Sequence, residues 1–79
     1  MTPENEMILK EIFLVVLDLP ESVDVQSLRR INNDKWDSLA TVSLVAAIES
    51  ELGLQLDTQQ QERLTSYQAT TLLLEELGK

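Results

Sequence analysis

Along the first part of the chain, Ile8, Ile12, Val15, Val16 and Leu19 recur three or four residues apart, the spacing of one helix face. Thr2-Pro3-Glu4 supplies a capping hydroxyl, a proline suited to the first helical position and an acid in the first turn. This predicts a first helix over about residues 3–17, stopped by Pro20. From Asp18 to Trp36 no period survives, so a long connection is expected, with a short helical turn between Asp24 and Ile31. Val23, Val25, Leu28 and Ile31 are expected to fasten it to the core.

The helical period returns at Ser38 and holds to about Leu52, where Gly53 offers a stop. The glutamine-rich segment from Asp57 to Leu64 is expected to contain a short third helix. Ser66 can cap a last helix through Leu77, buried by Leu72, Leu73 and Leu77 and ended by Gly78. The expected fold is all-α: one domain, residues 1–79, a small four-helix bundle with a long loop between helices 1 and 2 and a short third helix.

The second helix carries more apolar surface than one core needs. At about 100° per residue from Ser38, Leu44, Val45, Ile48 and Leu52 fall between roughly 240° and 340°. That is one core-facing stripe. Leu39, Val42 and Ala46 form a second group between roughly 40° and 100°, with Glu49 beside them near roughly 20°. Either the helix is central and nearly surrounded, or the second group faces a partner. Glu49 favours exposure, because an unpaired buried carboxylate is costly. Leu39, Val42, Ala46 and Glu49 then form a mixed apolar and acidic contact strip beginning beside Ser38.

Composition removes several classes of function. The chain has no cysteine and no histidine. Disulfides, thiolate metal sites and a cysteine nucleophile are excluded, and the commonest general base and metal ligand is missing. No nucleophile–base pair or metal cluster can be named, so an enzyme is not expected. The net charge of −8 opposes nucleic-acid binding. From Trp36 to Glu62 the charged residues are Asp37, Glu49, Glu51, Asp57 and Glu62, with no lysine or arginine. Such a stretch is either a solubilising surface or a docking surface for basic partners. The longest apolar run, Ile12 to Leu17, is too short to span a membrane. With Glu4 and Glu6 where a secretory leader carries lysines, a cytoplasmic monomer without membrane insertion is expected.

Ser38 is the candidate site. Its position suits two roles: a helix N-cap, which Asp37 could equally fill, or the anchor of an anionic group beside free amides and the positive end of a helix dipole. The run Asp37-Ser38-Leu39, followed by Val42, Leu44-Val45, Ile48-Glu49, Glu51 and Gly53, resembles the prosthetic-group site and second helix of acyl carrier proteins. Leu64-Thr65-Ser66 resembles that family's entry into the last helix, and the likeness extends over nearly the whole chain. The resemblance implies an acyl-carrier-type bundle with 4′-phosphopantetheine covalently attached to Ser38 by a phosphopantetheinyl transferase using coenzyme A. It also implies partner recognition through Asp37, Leu39, Val42, Ala46 and Glu49. The partners implied are acyl-activating enzymes, acyltransferases or synthases with basic docking surfaces.

Departures from the family pattern matter too. Ala40 and Ser43 stand where primary fatty-acid carriers usually place acids, Ser50 interrupts the later acidic cluster, and Trp36 replaces a small residue. They imply a specialised carrier with dedicated enzymes, in secondary-metabolite, modified-lipid or surface-polysaccharide synthesis. Trp36 itself is expected to clamp the loop. An aminoacyl or peptidyl carrier would use the same arm. A small acidic helical adaptor without a prosthetic group is the reading from another class.

Overall fold

The computed structural model describes residues 1–79. The chain forms four α-helices and no strand: α1 Pro3–Val16, α2 Ser38–Leu52, α3 Thr58–Glu62 and α4 Tyr67–Glu76. Two short 3-10 turns, Val25–Ser27 and Arg30–Asn32, lie in the long connection between α1 and α2. No helix is long and apolar enough to cross a membrane.

Each helix begins where a side-chain oxygen takes over an orphaned backbone amide. Thr2 Oγ1 accepts from the Asn5 amide at 3.1 Å, Asp57 Oδ1 from Gln60 at 2.8 Å, and Ser66 Oγ from Ala69 at 2.9 Å. At Asp57 the cap is reciprocal, because Gln60 Oε1 accepts from the Asp57 amide at 2.9 Å.

α1 ends before Pro20 is reached. The Leu19 amide bonds to the Leu14 carbonyl at 2.9 Å and the Asp18 amide to the Val15 carbonyl at 3.2 Å, closing the last turn. This closure puts Asp18 at φ 52°, a left-handed conformation that aspartate tolerates better than most side chains. The same pair of bonds closes α4 through Gly78 at φ 83°. At the end of α2, Gly53 at φ 64° lets the Leu54 amide return to the Glu49 carbonyl.

Seventeen buried apolar residues form one core, in which α1 and α2 are the principal pair. Phe13 of α1, wholly buried, meets the edge of Trp36 at 5.2 Å and of Tyr67 at 5.0 Å. Such edge-to-face contacts are worth about 0.5–1.5 kcal/mol each beyond the area they bury. The three rings join α1, the end of the long loop and α4. Trp36 Nε1 donates to Thr41 Oγ1 at 3.1 Å, so its buried indole keeps a hydrogen-bond partner. The loop clamp expected of this residue is present.

The loop is also strapped from its other side. The Arg30 amide donates to the Thr65 carbonyl at 2.9 Å, and the Tyr67 amide to the Leu28 carbonyl at 3.0 Å. This two-bond bridge between Arg29 and Ser66 sets the register of the loop. Val25 and Leu28 point into the core as expected, and Val23 packs at its margin. Ile31 does not: with the backbone fastened at Arg30, the following side chain is turned outward and is 94% exposed.

α4 requires a second correction. Its buried face consists of Tyr67, Thr70, Leu73 and Leu74. Leu72 lies around the helix from that face, and Leu77 stands at the C-cap, 36% exposed. Thr70 is fully buried because its hydroxyl donates to the Ser66 carbonyl at 2.8 Å within the helix. Beyond the core, Arg63 and Glu76 pair across the surface to join the end of α3 to α4. The hydrogen bond from Arg63 holds the Glu76 carboxyl below its ordinary range.

Two outcomes are expected. Phe13→Ala should cost about 3–5 kcal/mol in chemical denaturation, a large share of the stability of a domain this small. Leu72→Ala should change stability by no more than about 0.5 kcal/mol. Burial, and then the charge of Glu6, raise the Tyr67 hydroxyl above its ordinary pKa of 10.0. The stability this represents is fully present below pH 10.0 and is lost as pH rises through the higher folded-state value. Tyr67 is the sole tyrosine, so tyrosinate absorbance should report its late ionisation directly, together with alkaline unfolding.

Candidate functional site at the start of α2

The first turn of α2 decides between the two roles open to Ser38. Asp37, in extended conformation, is the N-cap: its Oδ1 accepts from the Ala40 amide at 2.8 Å. Ser38 is the first helical residue, one place too late to cap. Its side chain is exposed, and its Oγ accepts from Arg30 Nη2 at 3.2 Å. This contact leaves the hydroxyl proton free to be given to an external base. No base belonging to the protein is paired with it.

The turn is firmly held beneath the serine. Thr41 Oγ1 donates to the Asp37 carbonyl at 3.1 Å while accepting from Trp36 Nε1, linking the buried indole to the backbone at the cap. Ala40 is buried on the core side. A rigid, buried foundation thus carries an exposed hydroxyl at the molecular surface.

α2 divides its apolar surface between inside and outside. Leu44, Val45, Ile48 and Leu52 are buried, whereas Leu39 is 75% exposed, Val42 64% exposed, and Ala46 faces solvent. The second apolar group is therefore an exterior strip starting beside Ser38. Glu49, at the far end of that strip by helical angle, is half-buried rather than exposed. Its Oε2 accepts from the Leu56 amide at 2.8 Å, which compensates the carboxylate for the water it loses. Glu49 thereby fastens the α2–α3 connection.

The fold also brings to Ser38 a residue that its own helix does not announce. Arg30 lies eight positions earlier in the long connection, whose backbone is strapped to Thr65 and Tyr67. The available signal was the pair Arg29-Arg30 in an otherwise acidic chain.

An anion attached to Ser38 would fit what surrounds it. The oxygen is accessible and not needed for capping, the first turn of α2 presents its positive end, and a guanidinium is in contact. No three His, Cys, Asp or Glu side chains converge into a metal-binding group. Comparison with protein-family models, with curated proteins and with solved structures finds no match.

The cap assignment is open to direct measurement. Asp37→Ala should lower stability by about 1 kcal/mol. Ser38→Ala should stay within about 0.5 kcal/mol of wild type. Denaturant unfolding of both variants gives the comparison, and the reverse order would make Ser38 the cap.

Proposed function

We propose that this protein is a carrier that holds acyl intermediates as thioesters on a 4′-phosphopantetheine arm attached to Ser38. It would present them to dedicated biosynthetic enzymes. The observation that carries this reading is the exposed Ser38 hydroxyl, released from capping by Asp37 and set on a rigid first turn. The likeness of Asp37-Ser38-Leu39 and the following helix to acyl carrier proteins supports it from the sequence.

In the attachment step, Ser38 Oγ forms a bond to the phosphorus of the phosphopantetheinyl group while the pyrophosphate bond of coenzyme A breaks. 3′,5′-ADP leaves, and the serine proton passes to a base of the phosphopantetheinyl transferase. When bound, the arm supplies the thiol that a chain without cysteine lacks. The protein's own contribution is presentation. Asp37 and Trp36 hold the turn, and Leu39, Val42 and Ala46 offer an apolar contact beside the site.

Docking through that strip can be weak, because tethering supplies an effective concentration on the order of millimolar once carrier and enzyme meet. Asp37 and the net charge of −8 would speed association with basic partners and make it weaken with salt. The specialised pathways implied by Ala40, Ser43 and Ser50 belong to this proposal. So do a cytoplasmic location and a monomeric state.

The test is intact mass after incubation with coenzyme A, magnesium and a broad-specificity phosphopantetheinyl transferase, with Ser38→Ala alongside. A gain of one phosphopantetheine in wild type and none in the variant is expected. No gain with several transferases on folded protein would overturn the reading in favour of an adaptor without a prosthetic group.

A further inference from the structure

The cations of this chain are unevenly employed. Against 14 acids there are only 6 lysines and arginines, so a partner acid should be easy to find. Arg63 pairs with Glu76, whereas Arg29, Arg30 and the three lysines form no ion pair. Arg30 instead directs its guanidinium at the neutral, exposed hydroxyl of Ser38, 3.2 Å away. Guanidinium groups pair with carboxylate and phosphate oxygens through both charge attraction and bidentate hydrogen bonding, which a neutral hydroxyl cannot match. The stronger of its possible interactions is thus unused at the one side chain it touches.

Arg30 does not reach this place by chance rotation of a free loop. Its own amide is bonded to the Thr65 carbonyl at 2.9 Å, and Trp36, between it and Ser38 in sequence, is 2% exposed. The segment is pinned at both ends. Arg30 also lines a surface groove with Arg29, Ile31, Thr65, Ser66 and Gln68, and no acid contributes to that lining. Ser38, Leu39 and Val42 do not line this groove, and Arg30 is the residue shared between it and the serine contact.

We infer that Arg30 is a positioning residue for the phosphodiester on Ser38. Its guanidinium moves its hydrogen bonding from the serine oxygen to the non-bridging phosphate oxygens and so sets the direction in which the attached group leaves α2. The inference rests on the carrier reading of Ser38. Its chemistry follows from the contact already made: the phosphorus is bonded to the same Oγ that Arg30 touches, so the new negative charge forms beside an unpaired, oriented cation. No acid has to be displaced. The exchange replaces a hydrogen bond to a neutral oxygen with an ion pair to an anionic one, in a geometry that can be bidentate.

The experiment compares unloaded and loaded forms of wild type, Arg30→Ala and Arg30→Glu, with loading verified by intact mass. The readout is the change in Tm on loading, at low and at high salt. Arg30 is exposed, so the unloaded variants should remain folded. Loading should shift Tm about 2–5 °C less favourably in Arg30→Ala than in wild type. The shift should be less favourable again in Arg30→Glu, and the differences should shrink as salt rises.

Equal loading shifts in all three proteins would overturn the inference and leave the carrier reading intact. Slow loading of the variants followed by a wild-type shift would assign Arg30 to the transferase contact, and would overturn it equally. Absence of any mass gain in wild type would remove both readings together.

Discussion

The burial of Trp36 against Phe13, immediately before α2, is the contact on which the rest of the structure depends. A connection running from Asp18 to Trp36 has to order many residues that gain little from regular hydrogen bonding, and ordering each backbone costs about 1–2 kcal/mol. A small domain can offset this only by burying large groups where the loop must be held. Trp36 does so at the loop's end, with its indole nitrogen satisfied by Thr41 and its ring on Phe13. Phe13 in turn carries Tyr67, so the entry to α2 and the entry to α4 rest on the same ring.

That arrangement explains why Ser38 stands on a firm base while remaining open to solvent. The indole, Thr41 and the Asp37 carbonyl form a continuous chain of hydrogen bonds under the first turn. Asp37 closes the turn from outside through Ala40. Every polar demand of the helix start visible in these contacts is met by a neighbour of Ser38 and none by Ser38 itself. The core side of α2 supplies the cohesion through Leu44, Ile48 and Leu52. Leu39 and Val42 on the other side are not needed for the core, which makes them available for contact with another molecule.

The helices, their caps and the core stripe of α2 were legible because they depend on local rules. Hydroxyls at Thr2 and Ser66 satisfy amides three residues ahead, and Gly53 and Gly78 accept left-handed turns in which a side chain would be strained. Where an apolar residue departs from its expected core position, the cause is the phase of its helix or a backbone bond made far along the chain. Leu72 is on the wrong side of α4, Leu77 is beyond the packed turns, and Ile31 is turned out by a backbone bridge made to a distant residue. Thr70 is the converse case, a polar residue made buriable by a bond to its own helix. Glu49 was expected outside because its partner, the Leu56 amide, belongs to a connection whose path no periodicity describes.

By itself the sequence determined the all-α class, the span of α2 and the lack of cysteine and histidine side chains, since these follow from composition and from spacing within a few residues, and its resemblance to acyl carrier proteins singled out Ser38. The tertiary structure alone decided which of Asp37 and Ser38 caps α2, and on which side Leu39 and Val42 lie. It also decided that Arg30 should meet the serine. The loop that carries Arg30 is tied to Thr65 and Tyr67 from the far end of the chain. Contacts between such distant residues arise from packing and chain closure, which leave no period in the sequence.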